Sequence, residues 1–137
     1  MFDKITITTF VEKWLEAWNR HDLDGVLQDM ADDVVFEHWN GRVIRGKRQL
    51  ERVWQPWFSD HGDFHFELKS LSFDEAQQSL SFEWKLGWPS PEPGCRNQWE
   101  TREGVDLIQL SNGKVINKRS YIKTILKIDN RSMTLKL

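Results

Sequence analysis

Ser79-Leu80-Ser81-Phe82-Glu83-Trp84-Lys85-Leu86-Gly87-Trp88 alternates small or charged residues with large apolar ones and never breaks step. Successive side chains of an extended chain point to opposite faces, so this stretch reads as a strand with one buried and one solvated face. Just before it, Phe64, Phe66 and Leu68 alternate with His65, Glu67 and Lys69, and then Leu71 and Phe73 fall on the opposite parity. That change of phase predicts a β-bulge near Ser70, a device that bends a strand and curves its sheet. Just after it, Pro89 to Gly94 forms a loop with three prolines. Asn97 to Leu110 then reads as a long strand, with Gly104 as a bulge or a point of close approach. Ser111-Asn112-Gly113 is a turn into a last long strand, Lys114 to Ile125.

The first half of the chain has a different period. Val11, Trp14, Leu15 and Trp18 recur at helical intervals, with Thr9 and Glu12 at capping-box spacing ahead of them. Asp22 can cap a second, shorter helix through Met30. Val34 to Trp39 reads as a strand, Asn40-Gly41 as a turn, and Arg42 to Ile44 as a short returning strand. Gly46 opens a third helix whose apolar face is Leu50, Val53, Trp54, Trp57 and Phe58, and Pro56 marks a stop or kink near its end. Helices followed by a run of strands predict an α+β fold: three N-terminal helices packed on a curved, mixed, mostly antiparallel sheet.

At 137 residues the chain suits one domain. The reading assigns residues 1–126 to it and 127–137 to a C-terminal extension, either an added strand or a mobile tail in which Met133, Leu135 and Leu137 alternate. The formal net charge is -2 with both signs interspersed, so no basic stripe is available to track nucleic acid. No apolar run reaches the roughly 20 residues of a membrane helix. The single cysteine, Cys95, allows no internal disulfide. With no signal-like start at Met1 to Thr8, these features set the expectation of a cytoplasmic protein. Eight Trp and eight Phe against one Tyr call for an aromatic core, an aromatic ligand pocket, or both.

Trp14-Leu-Glu-Ala-Trp-Asn-Arg-His-Asp22-Leu-Asp-Gly-Val26, followed by Ala31-Asp-Asp-Val-Val-Phe-Glu-His38, resembles the opening of the nuclear transport factor 2-like superfamily. Gly104-Val-Asp106-Leu-Ile-Gln-Leu-Ser-Asn-Gly113-Lys-Val-Ile resembles the strand-turn-strand with which such domains finish. The style is that of the SnoaL-like polyketide cyclase and ketosteroid isomerase branches, and the resemblance covers about residues 7 to 124. It implies a cone-shaped domain. The isomerases carry a tyrosine donor on the first helix, where this chain has Trp14. They carry an aspartate base at the end of the first strand, where it has His38. They carry a neutral aspartic acid on the penultimate strand, matched by Asp106.

The candidate catalytic residues are therefore His38 and Asp106, each on the same strand face as large apolar residues. Trp14, Trp18, Phe36, Trp54, Phe58, Trp84, Ile108 and Ser120 are the candidate ligand-binding residues. The implied activity is cofactor-independent acid–base chemistry on a small apolar molecule, of isomerase, cyclase, dehydratase or hydrolase type. The rival readings are hydrophobic-ligand binding without catalysis and a dimeric interaction module. Glu100 and Arg102 read as a surface cross-strand pair and Lys118 as a solvated lysine. His61 and His65, beside Asp60 and Asp63, read as ordinary turn residues, and no metal is called for.

Helices can cover only one face of the sheet. The other carries Trp99, Val105, Leu107 and Tyr121 by alternation, a sizeable apolar patch for a monomer. A homodimer through the β-sheet is expected, and a monomer mass in sedimentation at micromolar concentration counts against it.

Overall fold

A computed structural model describes residues 1–135. Its elements run α1 (Lys4–Asn19), α2 (Leu23–Gln28), β1 (Met30–Glu37), β2 (Val43–Arg45), α3 (Lys47–Asp60), β3 (His65–Asp74), β4 (Ser79–Pro89), β5 (Trp99–Ser111), β6 (Lys114–Ile122), β7 (Ile125–Ile128) and β8 (Arg131–Thr134). The sheet order is β2-β1-β6-β5-β4-β3, antiparallel throughout except where β1 runs parallel to β6. The result is the α+β cone: a curled mixed sheet with three helices against its concave side. Among the described residues no helix is long and apolar enough to cross a membrane.

The first helix begins earlier than Thr9. Asp3 accepts from the Ile5 and Thr6 amides, while Thr6 Oγ1 accepts from the Asp3 amide, a reciprocal box one and a half turns upstream. The apolar stripe extends back with it, to a fully buried Ile7. Helix α2 starts at the expected cap, Asp22, but stops at Gln28, so Met30 opens β1 rather than closing a helix. Pro56 neither stops nor ends α3, which continues to Asp60. The proline lacks an N–H for the Arg52 carbonyl. Burial of Trp54 and partial burial of Trp57 and Phe58 against the core hold the remaining turn in place.

Strand β3 carries the expected irregularity, with register slipping between Leu68 and Ser70. Gly104 is a close approach and not a bulge: β4 and β5 pair without a shift from Ser79↔Gln109 to Pro89↔Trp99. Parity along β5 is thus unbroken, and Glu100, Arg102, Asp106, Ile108 and Leu110 all face inward and are buried. The phase change falls instead on β6, where Gln109 pairs Asn117 and Leu110 pairs Val115. Ile116 is the extra residue, and Val115, Lys118 and Ser120 turn inward.

Residues 125–134 form a hairpin laid along the start of β5, with Ile128 opposite Glu100 and Lys127 opposite Thr101. Leu126 and Ile128, from its first strand, are buried. The hairpin also brings Met133 Sδ to 3.8 Å from the buried Cys95 Sγ. Leu137 of the alternating tail lies outside the described residues. On the convex face Trp99 and Tyr121 are exposed, Val105 and Leu107 half-buried, and Glu103 is bridged by Lys69 and Lys123.

A Cβ at position 104 would strike the Tyr121 carbonyl oxygen and come within 2.5 Å of the Trp84 ring. Neither can retreat, since one is backbone and the other a buried indole. Gly104→Ala is expected to cost on the order of 3 kcal/mol of stability by overpacking. Urea unfolding is the check.

Candidate functional site

The curl of the sheet brings β1, β4, β5 and β6 around α1 and α3 and leaves a cavity of about 120 Å³ between them. Trp14 and Trp18 come from α1, Trp54 and Trp57 from α3, Phe36 from β1, Phe82 and Trp84 from β4. Rings meet edge to face across it, with Trp18–Trp54 centroids 4.8 Å apart and Phe36–Trp54 5.1 Å. Such contacts fix ring positions and leave an apolar wall that cannot hydrate a charge.

Into this wall β5 and β6 place three polar groups. Register sets Asp106 opposite Ser120, with Lys118 one inward step before it on β6. Lys118 Nζ is 3.0 Å from Asp106 Oδ2 and donates to Ser120 Oγ at 2.8 Å. Ser120 Oγ donates to Asp106 Oδ1 at 2.7 Å, and Trp84 Nε1 donates to the same oxygen at 3.1 Å. Lys118 was expected in solvent. It is buried, because the extra residue at Ile116 turns it inward and the aspartate is there to meet it. Its ammonium stands 4.7 Å from the Phe36 ring centroid and 5.9 Å from those of Trp18 and Trp54. Three donors converge on Asp106, one of them a cation. In this geometry the Asp106 oxygens act as hydrogen-bond acceptors.

His38 lies one residue beyond β1, in the turn closed by its own amide to the Arg42 carbonyl. It lines the cavity with Asp106, and no hydrogen bond joins the two among the described residues. Its Nδ1 accepts the Asn40 amide at 3.1 Å, so the neutral ring carries its proton on Nε2. Burial pulls its pKa down to about 4; a hydrogen bond with the Asn40 side chain works against the fall, and the positive charges of Lys118, Arg102 and Arg42 add to it. At neutral pH His38 is therefore an uncharged N–H donor with its lone pair engaged.

Of the other sequence-derived binding residues, Trp14, Trp18, Phe36, Trp54, Trp84 and Ser120 line the cavity. Trp14 spends its N–H on the Val26 carbonyl, 3.1 Å away, and contributes a ring face only. Ile108 and Phe58 stand behind the wall, Ile108 in the core and Phe58 against Trp18. Leu15, Trp39, Val53, Trp57, Phe66 and Phe82 also line the cavity and were absent from that set. Phe66 and Phe82 had the right parity to be found; Trp39 and Trp57 depend on how a turn and a helix end are aimed.

A second buried polar group replaces the surface pair expected at Glu100 and Arg102. Glu100 is wholly buried and accepts from Arg102 Nε at 2.5 Å, Trp88 Nε1 at 2.6 Å and Ser90 Oγ at 2.7 Å. The Arg102 guanidinium lies 4.8 Å from the Trp88 ring centroid and 5.5 Å from that of Trp39. Among the described residues no three His, Cys, Asp or Glu side chains are grouped to hold a metal ion. His61 stacks on Trp88 and His65 is exposed.

A three-helix cone on a curled mixed sheet, with polar groups at the base of an aromatic cavity, defines the NTF2-like fold. Residues 11–117 match the SnoaL-like domain, and the chain belongs to that family. No curated protein sequence matches it. Among solved structures it is similar to SalBIII, an epoxide hydrolase/cyclase-like enzyme with a role in pyran ring formation in the polyether salinomycin. The two share a TM-score of 0.79 at 16% identity, over 93% of this chain and 99% of that one. AclR of Streptomyces galilaeus, a candidate hydroxylase, gives 0.73 at 17% identity over 88% and 81%. A SnoaL-like protein of unknown function from Burkholderia thailandensis gives 0.70 at 18% identity over 90% and 99%. At these identities the likeness is one of fold.

The depressed His38 has a consequence for stability. Between about pH 6.5 and 4 the unfolded chain binds a proton at His38 that the folded chain refuses, so acid favours unfolding in that window. His38→Gln is expected to flatten the loss between neutral pH and about pH 4.5 by on the order of 1–2 kcal/mol, after allowing for solvent screening of a half-buried ring. Urea unfolding of both proteins at the two pH values measures it.

Proposed function

We propose that this SnoaL-like protein binds a small, largely apolar molecule carrying one oxygen function, and acts on it by acid–base chemistry without a cofactor. The observation that carries this reading is the buried Lys118–Asp106–Ser120 group set into a wall of tryptophan and phenylalanine. An apolar cavity with a few convergent polar groups is the usual form of a small-molecule site. A buried cation and carboxylate cost energy that apolar residues would not, so their presence wants a use.

In this reading Asp106 takes a proton from the ligand, through Ser120 or directly, and Lys118 donates to the oxygen on which negative charge develops. His38 adds a second donor, this one neutral, from Nε2, the role its engaged Nδ1 leaves open. Isomerisation, cyclisation, dehydration and hydrolysis all need that pair of functions. The acid–base sense thus differs from the resemblance: Asp106 accepts and His38 donates.

A second reading, binding without turnover, draws on the closed hydrogen bonding of the polar group, in which Asp106 already receives three donors. One experiment serves both. A panel of small aryl ketones and the matching hydrocarbons is tested for thermal stabilisation of the wild-type protein and of Lys118→Met and Asp106→Asn. Ketones are expected to stabilise the wild type by about 2.7 kcal/mol at a hundredfold excess over Kd, with hydrocarbons weaker. Lys118→Met should erase the difference. Exchange of the ketone's α-protons for deuterium, lost in Asp106→Asn, marks catalysis; binding without exchange marks the second reading. Equal response to ketones and hydrocarbons sinks the acid–base reading and leaves binding of apolar molecules without turnover, and no response to either sinks both.

A further inference from the structure

Lys118 offers a chemistry that hydrogen bonding alone does not use. Among the described residues its Nζ is the one primary amine on the cavity wall, and two of its three N–H donors have protein acceptors, Asp106 and Ser120. A proton acceptor 3.0 Å away and a hydroxyl 2.8 Å away are what an amine needs to shed one proton and pass another. Most of the side chains on the wall are aromatic, which disfavours water beside a product. At about 120 Å³ the cavity is of the order that takes one benzene-sized ring.

We propose that Lys118 is an amine nucleophile that captures the carbonyl carbon of a small aromatic aldehyde as an imine. The ammonium first gives a proton to the Asp106 carboxylate. The freed lone pair forms a C–N bond as the carbonyl π pair moves to oxygen, and a proton passes from nitrogen to that oxygen through the Ser120 hydroxyl. The proton held by Asp106 then returns to the carbinol oxygen, which leaves as water while nitrogen's lone pair closes the C=N bond. The sum is one aldehyde and one ammonium giving one protonated imine and one water, with Asp106 ending as it began and no oxidant or reductant consumed. The Phe36, Trp18 and Trp54 faces around the ammonium hold the positive charge of the imine in the place where they now hold that of the lysine.

The inference rests on the cavity being a ligand site, and the test separates the two. The full chain is treated with benzaldehyde and sodium cyanoborohydride, which reduces an imine to a stable benzylamine, and peptides are mapped by mass. Benzyl alcohol serves as the ring without the carbonyl, and tryptophan fluorescence reports occupancy. Benzyl transfer to Lys118 is expected at aldehyde concentrations at least about tenfold below those that label the exposed Lys13 or Lys127, because the walls hold the carbonyl beside the amine. Asp106→Asn and Ser120→Ala, which keep the lysine, should slow labelling at Lys118 with occupancy retained. Thermal melts confirm that each variant is folded, and either variant alone suffices. Fluorescence that responds to both aldehyde and alcohol while Lys118 stays unlabelled overturns the imine and leaves the site standing. Silence in both readouts overturns both, and labelling at Lys118 no faster than at the exposed lysines overturns the imine as well.

Discussion

A lysine ammonium cannot stand among tryptophans alone. Desolvating it costs several kcal/mol even after relaxation, and the same holds for a carboxylate, so Lys118 and Asp106 are buried together or not at all. Their meeting requires β5 and β6 to pair in one register, since a slip of β6 by one residue would turn Lys118 to the convex face and leave Asp106 buried without it. Ser120 and Trp84, from the neighbouring strands, then both donate to the other carboxylate oxygen. Four residues on three strands are thereby fixed relative to one another, and the aromatic shell from α1 and α3 packs down on them.

The same logic recurs at the other end of β5. Glu100 and Arg102 share the inward parity of Asp106 and solve the burial problem with a second set of partners, Trp88 and Ser90. The inner face of one strand thus carries Glu100, Arg102 and Asp106 before it turns apolar at Ile108 and Leu110. It is tolerable because indole N–H groups act as donors: Trp84 serves Asp106 and Trp88 serves Glu100, each across the β4–β5 pairing. The tryptophan content of the chain is in part a supply of donors that bring their own apolar cover.

The fold was legible because its signals are local. Period-two alternation in β4, the phase change near Ser70 and the helical stripe of α1 each need only neighbouring residues to be read. The site was legible in half. Asp106, Phe36 and Trp84 follow from parity, whereas Lys118 was assigned to solvent because its partner lies on another strand and sequence shows no pairing. Arg102 was misplaced for a related reason: a glycine permits a bulge without requiring one, and only the bulk of Trp84 above Gly104 shows that the space was needed for a ring. The role of His38 turned on an amide two residues away, Asn40, whose approach to Nδ1 depends on the shape of the turn.

Strand β1 finds its parallel partner far along the chain, with Phe36 beside Lys118. On the ribosome, then, the helices and the first strand emerge long before the strand that completes the sheet beside them. Through most of synthesis the tryptophans of α1 and α3 have no buried cation to enclose, and one edge of β1 has no neighbour. Closing that long loop is the slow event in topologies of this kind. The nascent protein therefore carries an apolar, half-built cone until its final strands are released, and the interval before β6 docks is when its aromatic surface is most open to helper proteins and to other nascent chains.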